Sequence, residues 1–211
     1  MNDNMIGARA LMVALEKEGV KEVFGLPGGA NLPMYDELYK SNIRHILVRH
    51  EQDAAHMADG FGRVSRKPGV CFATSGPGAT NLLTGIATAQ ADSAPMVAVT
   101  GQVPVAMIGK DAFQESDIIG MANPAVKYSY QPRTPEEIPE VVKQGFYIAE
   151  TGRPGPVLLD IPKDVQQNEG KFTFPDEVRI PGYHPWTDPD IPSIEKAIEL
   201  LLSAEKPIIL A

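Results

Sequence analysis

Residues 43–60, IRHILVRHEQDAAHMADG, decide the fold expected for this chain. Ile43, Ile46, Leu47 and Val48 are typical of a short buried strand, and the residues after Glu51 repeat apolar side chains at the spacing of an amphipathic helix. Parallel α/β sheets bind ligands where a strand hands over to a helix, so Glu51 is a candidate functional acid. An acid in the first helical turn also complements the helix dipole, by roughly 0.3–1 kcal/mol, and this stretch alone favours that second role. The predicted apolar face of the helix comprises Ala54, Ala55, Met57, Ala58 and Phe61.

The rest of the chain repeats this alternation of strand and helix about six times. The other predicted strands lie at residues 22–24, 70–74, 96–100, 125–130 and 157–161. Parallel strands need crossover connections, and helices supply them between these segments. The sequence therefore predicts a three-layer α/β/α fold with a mostly parallel, doubly wound sheet of about six strands.

Composition divides the chain into three parts. Residues 1–164 contain the whole predicted sheet and form the first domain. Residues 165–191 are polar and rich in proline, which predicts a linker. In residues 192–211 a capped amphipathic helix precedes an apolar strand that begins at Pro207, so we expect the start of a truncated middle domain.

Charge and cysteine content narrow the function classes. The net charge is −8 and the pI is near 5.0, which argues against a surface for nucleic acid or anionic membrane. The single cysteine, Cys71, cannot form an intramolecular disulfide, and no window approaches the ~20 apolar residues of a membrane span. We expect a cytoplasmic protein that acts on small molecules.

Three glycine-rich loops follow predicted strands: GLPGGA (25–30), SGPGATN (75–81) and TGQVP (100–104). No GxxxxGK[ST] occurs, and Asn81 stands where a dinucleotide fingerprint requires its third glycine. The loops suit a flat, mostly uncharged ring, because Leu26, Pro27 and Pro77 offer apolar walls while Asn81 and Gln114 offer hydrogen bonds. Each loop could equally be a plain turn.

Metal and nucleophile chemistry have little support in the sequence. The four histidines form no HxxxH or Cys/His pattern, so we expect no metal site within this chain. No GxSxG occurs, and Cys71 lies inside a predicted strand instead of at a loop.

Six motifs follow one another within residues 4–168. They are VFGLPGGANLP (23–33), RHEQDAAHMADGFGR (49–63), TSGPGATNLLTGIATA (74–89), GQVP (101–104), GKDAFQE (109–115) and TGRPGPVLLDIPKDV (151–165). In this order and spacing they resemble the N-terminal, pyrimidine-binding domain of the thiamine-diphosphate enzymes, in particular the catalytic subunits of the acetolactate (acetohydroxyacid) synthases. Six motifs in one order are far more specific than any one of them.

The resemblance implies a role for individual residues. Glu51 matches the glutamate that hydrogen-bonds ring nitrogen N1′ of thiamine diphosphate, where a shared proton promotes activation of the cofactor. The other matching positions are Leu26, Pro77 and Asn81 at the aminopyrimidine, Phe113, Gln114 and Lys163 at the substrate channel, and Arg153 as an FAD contact. Without the resemblance, Arg153 would be interpreted as a charged residue at a helix end. Leu26 departs from the tyrosine that many members have, and Asp53 replaces a common glycine.

The resemblance also implies an activity and partners. Pyruvate would be decarboxylated and joined to a second 2-ketoacid, pyruvate or 2-ketobutyrate, in the first common step of branched-chain amino-acid biosynthesis. Mg²⁺ would be held by a C-terminal domain outside these 211 residues, FAD would be bound without a redox role, and a homodimer or larger homo-oligomer would place the active site at its interface. A regulatory small subunit is possible in such a family, and we expect the fragment alone to be inactive. Two alternatives stay open: another thiamine-diphosphate enzyme (a pyruvate oxidase, glyoxylate carboligase or 2-ketoacid decarboxylase), or a non-catalytic association module of the same fold.

Overall fold

The computed structural model describes residues 4–210. They divide into two compact units, which meet in sequence between Pro181 and Gly182. The first unit contains β1 (Met5–Ile6), α1 (Gly7–Lys17), β2 (Glu22–Gly25), α2 (Leu32–Tyr39), β3 (Arg44–Leu47), α3 (Glu51–Ser65), β4 (Gly69–Ala73), α4 (Pro77–Asn81), α5 (Leu83–Asp92), β5 (Met96–Gln102), α6 (Ile118–Ala122), β6 (Tyr128–Tyr130), α7 (Ile138–Glu150), β7 (Pro156–Pro162), α8 (Lys163–Gln167) and β8 (Glu169–Gly170).

Six strands form one sheet in the order β3-β2-β4-β5-β7-β6, and every neighbouring pair is parallel. Helices α1, α2, α7 and α8 pack together on one face, while α3 and α5 pack on the other. The three-layer α/β/α fold with a doubly wound sheet of six strands is thereby confirmed. The chain leaves β2 toward β3 on one side and later returns to place β4 on the other, so the carboxyl ends of β2 and β4 form a topological switch point.

Helix α3 packs against the sheet through its smallest side chains. A side chain at Gly62 would place its Cβ 2.3 Å from the carbonyl oxygen of Pro95, so the helix lies too close for larger residues on this face. Ala54, Ala55 and Ala58 are buried as predicted. Met57 and Phe61 are 44% and 36% exposed, so the prediction that they belong to the buried face is wrong.

Strand β3 is less buried than its apolar sequence suggested. It lies at the outer edge of the sheet, where only β2 pairs with it, and Leu47 is 64% exposed. An edge position leaves one side of a strand uncovered, which an apolar run cannot reveal.

Two further details concern the ends of elements. The capping box at Thr134 and Glu137 is present, and it opens a 3₁₀ turn that leads into α7. A short antiparallel pair that the sequence did not predict joins β1 to β8, with Met5 opposite Gly170.

Within residues 182–210, the second unit contains one helix, α9 (Ile191–Ser203), whose residues are all exposed. Residues 207–210 form no strand, in contrast to the prediction, and Ala211 lies outside the described residues. The apolar side chains at 208–210 are exposed. Within residues 4–210, no helix is both long and apolar enough to cross a lipid bilayer.

Candidate functional site

The loops after β2, β3 and β4 meet at the carboxyl edge of the sheet, around the switch point. The amide of Leu26, just after β2, donates to the carbonyl of Phe72 in β4 over 3.4 Å. The amide of Val48, just after β3, donates to the carbonyl of Gly25 over 3.2 Å. Backbone hydrogen bonds thus continue beyond the regular ladders and hold the three loops in fixed positions relative to one another.

Glu51 is the first residue of α3 and is only 8% exposed. The residue that caps the helix is His50, whose Nδ1 accepts a hydrogen bond from the amide of Gln52 over 3.1 Å. The carboxylate of Glu51 instead accepts a hydrogen bond through Oε2 from Nδ2 of Asn81, over 2.9 Å. Among residues 4–210 no donor contacts its other oxygen, Oε1, so a nearly buried carboxylate oxygen is left available to a ligand.

Helix α4 approaches Glu51 closely because position 78 has no side chain. A Cβ added at Gly78 would lie 3.1 Å from Glu51 Oε1 and 2.7 Å from Cγ2 of Thr74. Asn81, one helical turn further on, is thereby brought within hydrogen-bond distance of Glu51. The SGPGATN loop therefore serves to orient the carboxylate.

The GLPGGA loop is tightened by a buried amide side chain. Oδ1 of Asn31 accepts from the amide of Gly28 over 2.7 Å, and Nδ2 donates to the carbonyl of Leu26 over 3.4 Å. The amide of Ala30 donates to Oγ1 of Thr74 over 3.1 Å, which ties this loop to the residue that follows β4. Leu26 is consequently held half-buried, packed against the core beneath α3 and α5.

The long segment between β5 and α6 brings Gln114 to the same edge. A Cβ added at Gly76, whose φ is +59°, would lie 2.5 Å from the carbonyl oxygen of Gln114, so the two backbones are in contact beside the exposed Pro77. The carboxylate of Glu115 accepts hydrogen bonds from the amides of Gly109 and Ala112, and these bonds lower the pKa of Glu115. Phe113 projects from this closed turn with 87% of its surface exposed.

Lys163 and Arg153 lie beyond the two ends of strand β7. Lys163 is half-buried at the carboxyl end of β7, at the same edge as Glu51 but beyond β5. Arg153 precedes the amino end of β7, at the opposite edge, where Nε donates to Oγ of Ser93 over 2.7 Å and Nη2 donates to the carbonyl of Ala91 over 3.0 Å. The structure therefore brings Leu26, Pro77, Asn81, Gln114 and, beyond β5, Lys163 to the edge that carries Glu51, and it does not bring Arg153 there.

Sequence reasoning passed over Asp160, a fully buried acid in the middle of β7. Its Oδ1 accepts from Thr100 over 2.6 Å, and its Oδ2 accepts from the side-chain amides of Gln102 and Gln131 over 3.0 and 2.7 Å. Burial raises the pKa of Asp160 to about 6, against the opposing effect of these three hydrogen bonds. A single charge within the apolar run VLLDI was the signal that could have identified it.

The residues around Glu51 are suited to a ring ligand with a hydrogen-bonding edge. The free Oε1 of Glu51 can accept a hydrogen bond from a proton-bearing ring nitrogen, while Leu26 and Pro77 present apolar surface at the same edge. Within the described part of the chain, no group of three or more His, Cys, Asp or Glu side chains is arranged to hold a metal ion.

Comparison with known proteins places these features in a family. Residues 5–121 match the family model described as thiamine pyrophosphate enzyme, N-terminal TPP binding domain. A protein of Methanocaldococcus jannaschii named probable acetolactate synthase large subunit is 57% identical over 210 residues, which cover 98% of this chain and 36% of that protein. The acetolactate synthase large subunit of Corynebacterium glutamicum is 51% identical over 208 residues, covering 98% and 33%. That of Cyanidium caldarium is 53% identical over 211 residues, covering 96% and 36%. The chain thus spans about a third of the length of these relatives.

Proposed function

The chain belongs to the thiamine pyrophosphate enzymes, through their N-terminal TPP binding domain, and on that basis we propose that it forms the aminopyrimidine half of the active site of an acetolactate synthase. The proposed reaction decarboxylates pyruvate and joins the remaining two-carbon unit to a second 2-ketoacid, pyruvate or 2-ketobutyrate. The names of relatives at 51–57% identity support this reaction. The other thiamine-diphosphate reactions would give different products and are separated from it by product analysis.

The observation that carries the proposal is the unpaired Oε1 of Glu51 at the switch point of the sheet. Asn81 occupies the other carboxylate oxygen, so the carboxylate cannot turn freely and Oε1 stays directed away from Asn81. A nearly buried carboxylate in this position can share a proton with a ring nitrogen. Thiamine diphosphate, when bound, supplies the electron sink for the decarboxylation.

The surrounding residues would fix the ring and leave room for the substrate. Leu26 and Pro77 would contact its apolar faces, and Gly78 leaves the space in which Glu51 Oε1 can be reached. Gln114, whose backbone contacts Gly76, and the exposed Phe113 would line the substrate channel. Lys163, at the carboxyl end of β7, would complete that channel from the other side of β5.

Several parts of the proposal rest on the family alone. Mg²⁺ and the diphosphate would be held by residues outside this chain, in a homodimer or larger homo-oligomer whose interface contains the active site. Arg153 would contact FAD, although its guanidinium lies at the edge of the sheet opposite to Glu51 and is engaged by Ser93 and Ala91. A regulatory small subunit and a cytoplasmic location are also part of the proposal. Residues 165–191 would link this domain to a middle domain that begins within residues 192–211.

The decisive experiment compares Glu51→Gln with Asp53→Asn in the whole polypeptide that the gene encodes. Both changes remove one carboxylate from the first turn of α3, but Asp53 is exposed and makes no side-chain contact at the site. Acetolactate formation from pyruvate should fall by about 10²–10⁴-fold in Glu51→Gln, because a positioned proton-transfer group is lost. Asp53→Asn should keep wild-type turnover, and circular dichroism should show both variants folded. Equal activity in the two variants would remove Glu51 from the mechanism, and a product other than acetolactate would overturn the assigned reaction.

A further inference from the structure

The segment at residues 103–117 is held at both ends by side chains from β5 and α8. Near its start, the amide of Val105 lies 3.0 and 3.1 Å from the two carboxylate oxygens of Asp164. Near its end, the carbonyl of Ser116 accepts from Nε2 of Gln102 over 3.0 Å. Asp164 follows Lys163 directly, so the segment that carries Phe113 and Gln114 is attached beside Lys163.

Gln102 is almost fully buried, and all of its hydrogen-bonding groups point at fixed partners. One N–H of its amide donates to Ser116, and the other donates to Oδ2 of Asp160 over 3.0 Å. Its Oε1 accepts from the amide of Val103 over 2.9 Å, and only an oxygen can accept there, so the orientation of the amide group is determined. Gln102 therefore links Asp160 to Ser116 in a fixed geometry.

Ser116 in turn controls the placement of Gln114. Only one residue separates them, and the carbonyl of Gln114 lies against Gly76 at a distance that leaves no space for a side chain. Gln114 and Asp111 both have positive φ, at 56° and 53°, a region that residues other than glycine seldom occupy. Such a backbone conformation persists only where surrounding contacts hold it. The hydrogen bond from Gln102 to Ser116 therefore helps to keep residues 111–114 in this conformation.

We propose that Gln102, held by Asp160, is a positioning residue that fixes Gln114 and Phe113 at the carboxyl edge of the sheet. The inference rests on the proposed function for its consequence in catalysis, but its structural part does not. Neither Gln102 nor Asp160 contacts Glu51 among the described hydrogen bonds, so the proposed effect of Gln102 is exerted through residues 103–117 and not through Glu51.

The anchor requires an acceptor oxygen at position 160, and it does not require the charge. The groups that face Asp160 are the hydroxyl of Thr100, the amides of Gln102 and Gln131, and, at longer range, the carboxylate of Asp117. Both amides donate to Oδ2, which accepts equally well as a carbonyl oxygen. The hydroxyl of Thr100 can turn to accept a hydrogen bond from the Nδ2 group that replaces Oδ1 in the asparagine. An asparagine at position 160 can therefore hold Gln102 as the aspartate does.

Gln131 provides a matched control. Like Gln102, it donates through Nε2 to Oδ2 of Asp160, at 2.7 Å against 3.0 Å, but no hydrogen bond joins it to residues 103–117. Gln102→Met and Gln131→Met thus remove the same kind of bond from the same carboxylate oxygen, and only the first also removes the hydrogen bonds to Ser116 and to the amide of Val103.

The test measures amide hydrogen exchange and steady-state kinetics in the whole polypeptide that the gene encodes. In Gln102→Met, exchange across residues 104–117 should become about tenfold faster and the KM for pyruvate should rise by about tenfold, with a smaller change in kcat. Gln131→Met and Asp160→Asn should stay within about threefold of wild type in both measurements. If Gln102→Met does not fold, Asp160→Ala removes the same support from the other side and should open the same residues.

Three results would overturn the inference: unchanged exchange in Gln102→Met, an equal effect in Gln131→Met, or opening of the segment in Asp160→Asn. The exchange measurement needs no enzymatic activity, so it judges this inference even if Glu51→Gln retains full turnover and the proposed function fails.

Discussion

Asp160 should make the protein less stable as the pH rises from acid to neutral, and Asp160→Asn should remove that loss. Burial raises the pKa of Asp160 from 3.8 to about 6 in the folded state. Between these two values the folded protein holds the proton more tightly than the unfolded chain does. The unfolding free energy contributed by this group is therefore fully present below pH 3.8 and is lost as the pH rises through about 6.

The size of the effect follows from the difference between the folded and unfolded pKa of Asp160. A tenfold difference in proton affinity corresponds to about 1.4 kcal/mol, so a pKa raised from 3.8 to about 6 amounts to about 3 kcal/mol at pH 7.5. Roughly 2 kcal/mol of this develops between pH 4 and pH 7. Asparagine does not titrate, and the remaining groups titrate alike in the two proteins. The difference in unfolding free energy between Asp160→Asn and wild type should therefore grow in favour of the variant by about 2 kcal/mol over this range.

Urea unfolding of both proteins at four pH values between 4 and 7.5 measures this difference. Low protein concentration is needed, because the pI near 5.0 falls within the range. A difference that does not change with pH would show that Asp160 has no raised pKa. If Asp160→Asn is instead destabilised most, relative to wild type, at pH 7.5, the three hydrogen bonds stabilise the ionised carboxylate more than burial destabilises it. That result would refute the reasoning.

Two further predictions concern single contacts. Gly78→Ala should weaken thiamine-diphosphate binding by about tenfold or more, because the added Cβ would lie 3.1 Å from Glu51 Oε1 and 2.7 Å from Thr74 Cγ2. A fluorescence titration of the whole polypeptide measures this affinity. Unchanged affinity would mean that α4 can move away from Glu51. Thr134→Ala should lower the unfolding free energy by about 1 kcal/mol, measured by urea unfolding, because it removes the capping box in the turn that leads into α7. Activity should not change, and a change in KM would contradict a purely structural role.

The sequence was sufficient for the architecture because the signals that set it are local. The apolar runs, the glycines after them and the capping box at Thr134 each determine a few neighbouring residues, and parallel strands with helical crossovers leave few ways to combine them. The position of β3 at the sheet edge was not predictable, since pairing order depends on contacts between segments distant in sequence. Met57 and Phe61 were misplaced for a related reason: the close approach of Gly62 to Pro95 decides which face of α3 can be buried.

For the site, the sequence pointed to residues, and the structure determined where they lie and what they contact. Glu51 was favoured locally as an acid that stabilises its helix, and its actual hydrogen bond to Asn81 spans 30 positions that no local pattern relates. Asp160 was passed over because it occupies an otherwise regular strand. Its partners Gln102 and Gln131 come from other elements of the sheet, so its hydrogen bonds are apparent only once β5, β6 and β7 are adjacent.

The geometry around Glu51 is set by close contacts at two glycines and by a side-chain hydrogen bond, all within this chain. Gly78 lies against the carboxylate, and Gly76 lies against Gln114 at a distance with no space for a side chain. Such contacts leave the loops little freedom to rearrange, because movement of one would require movement of its neighbour. The hydrogen bond from Asn81 to Glu51 is also complete without any second chain. It follows that the proposed aminopyrimidine half-site would be preformed, and that other parts of the enzyme would add cofactor contacts to it without having to order it.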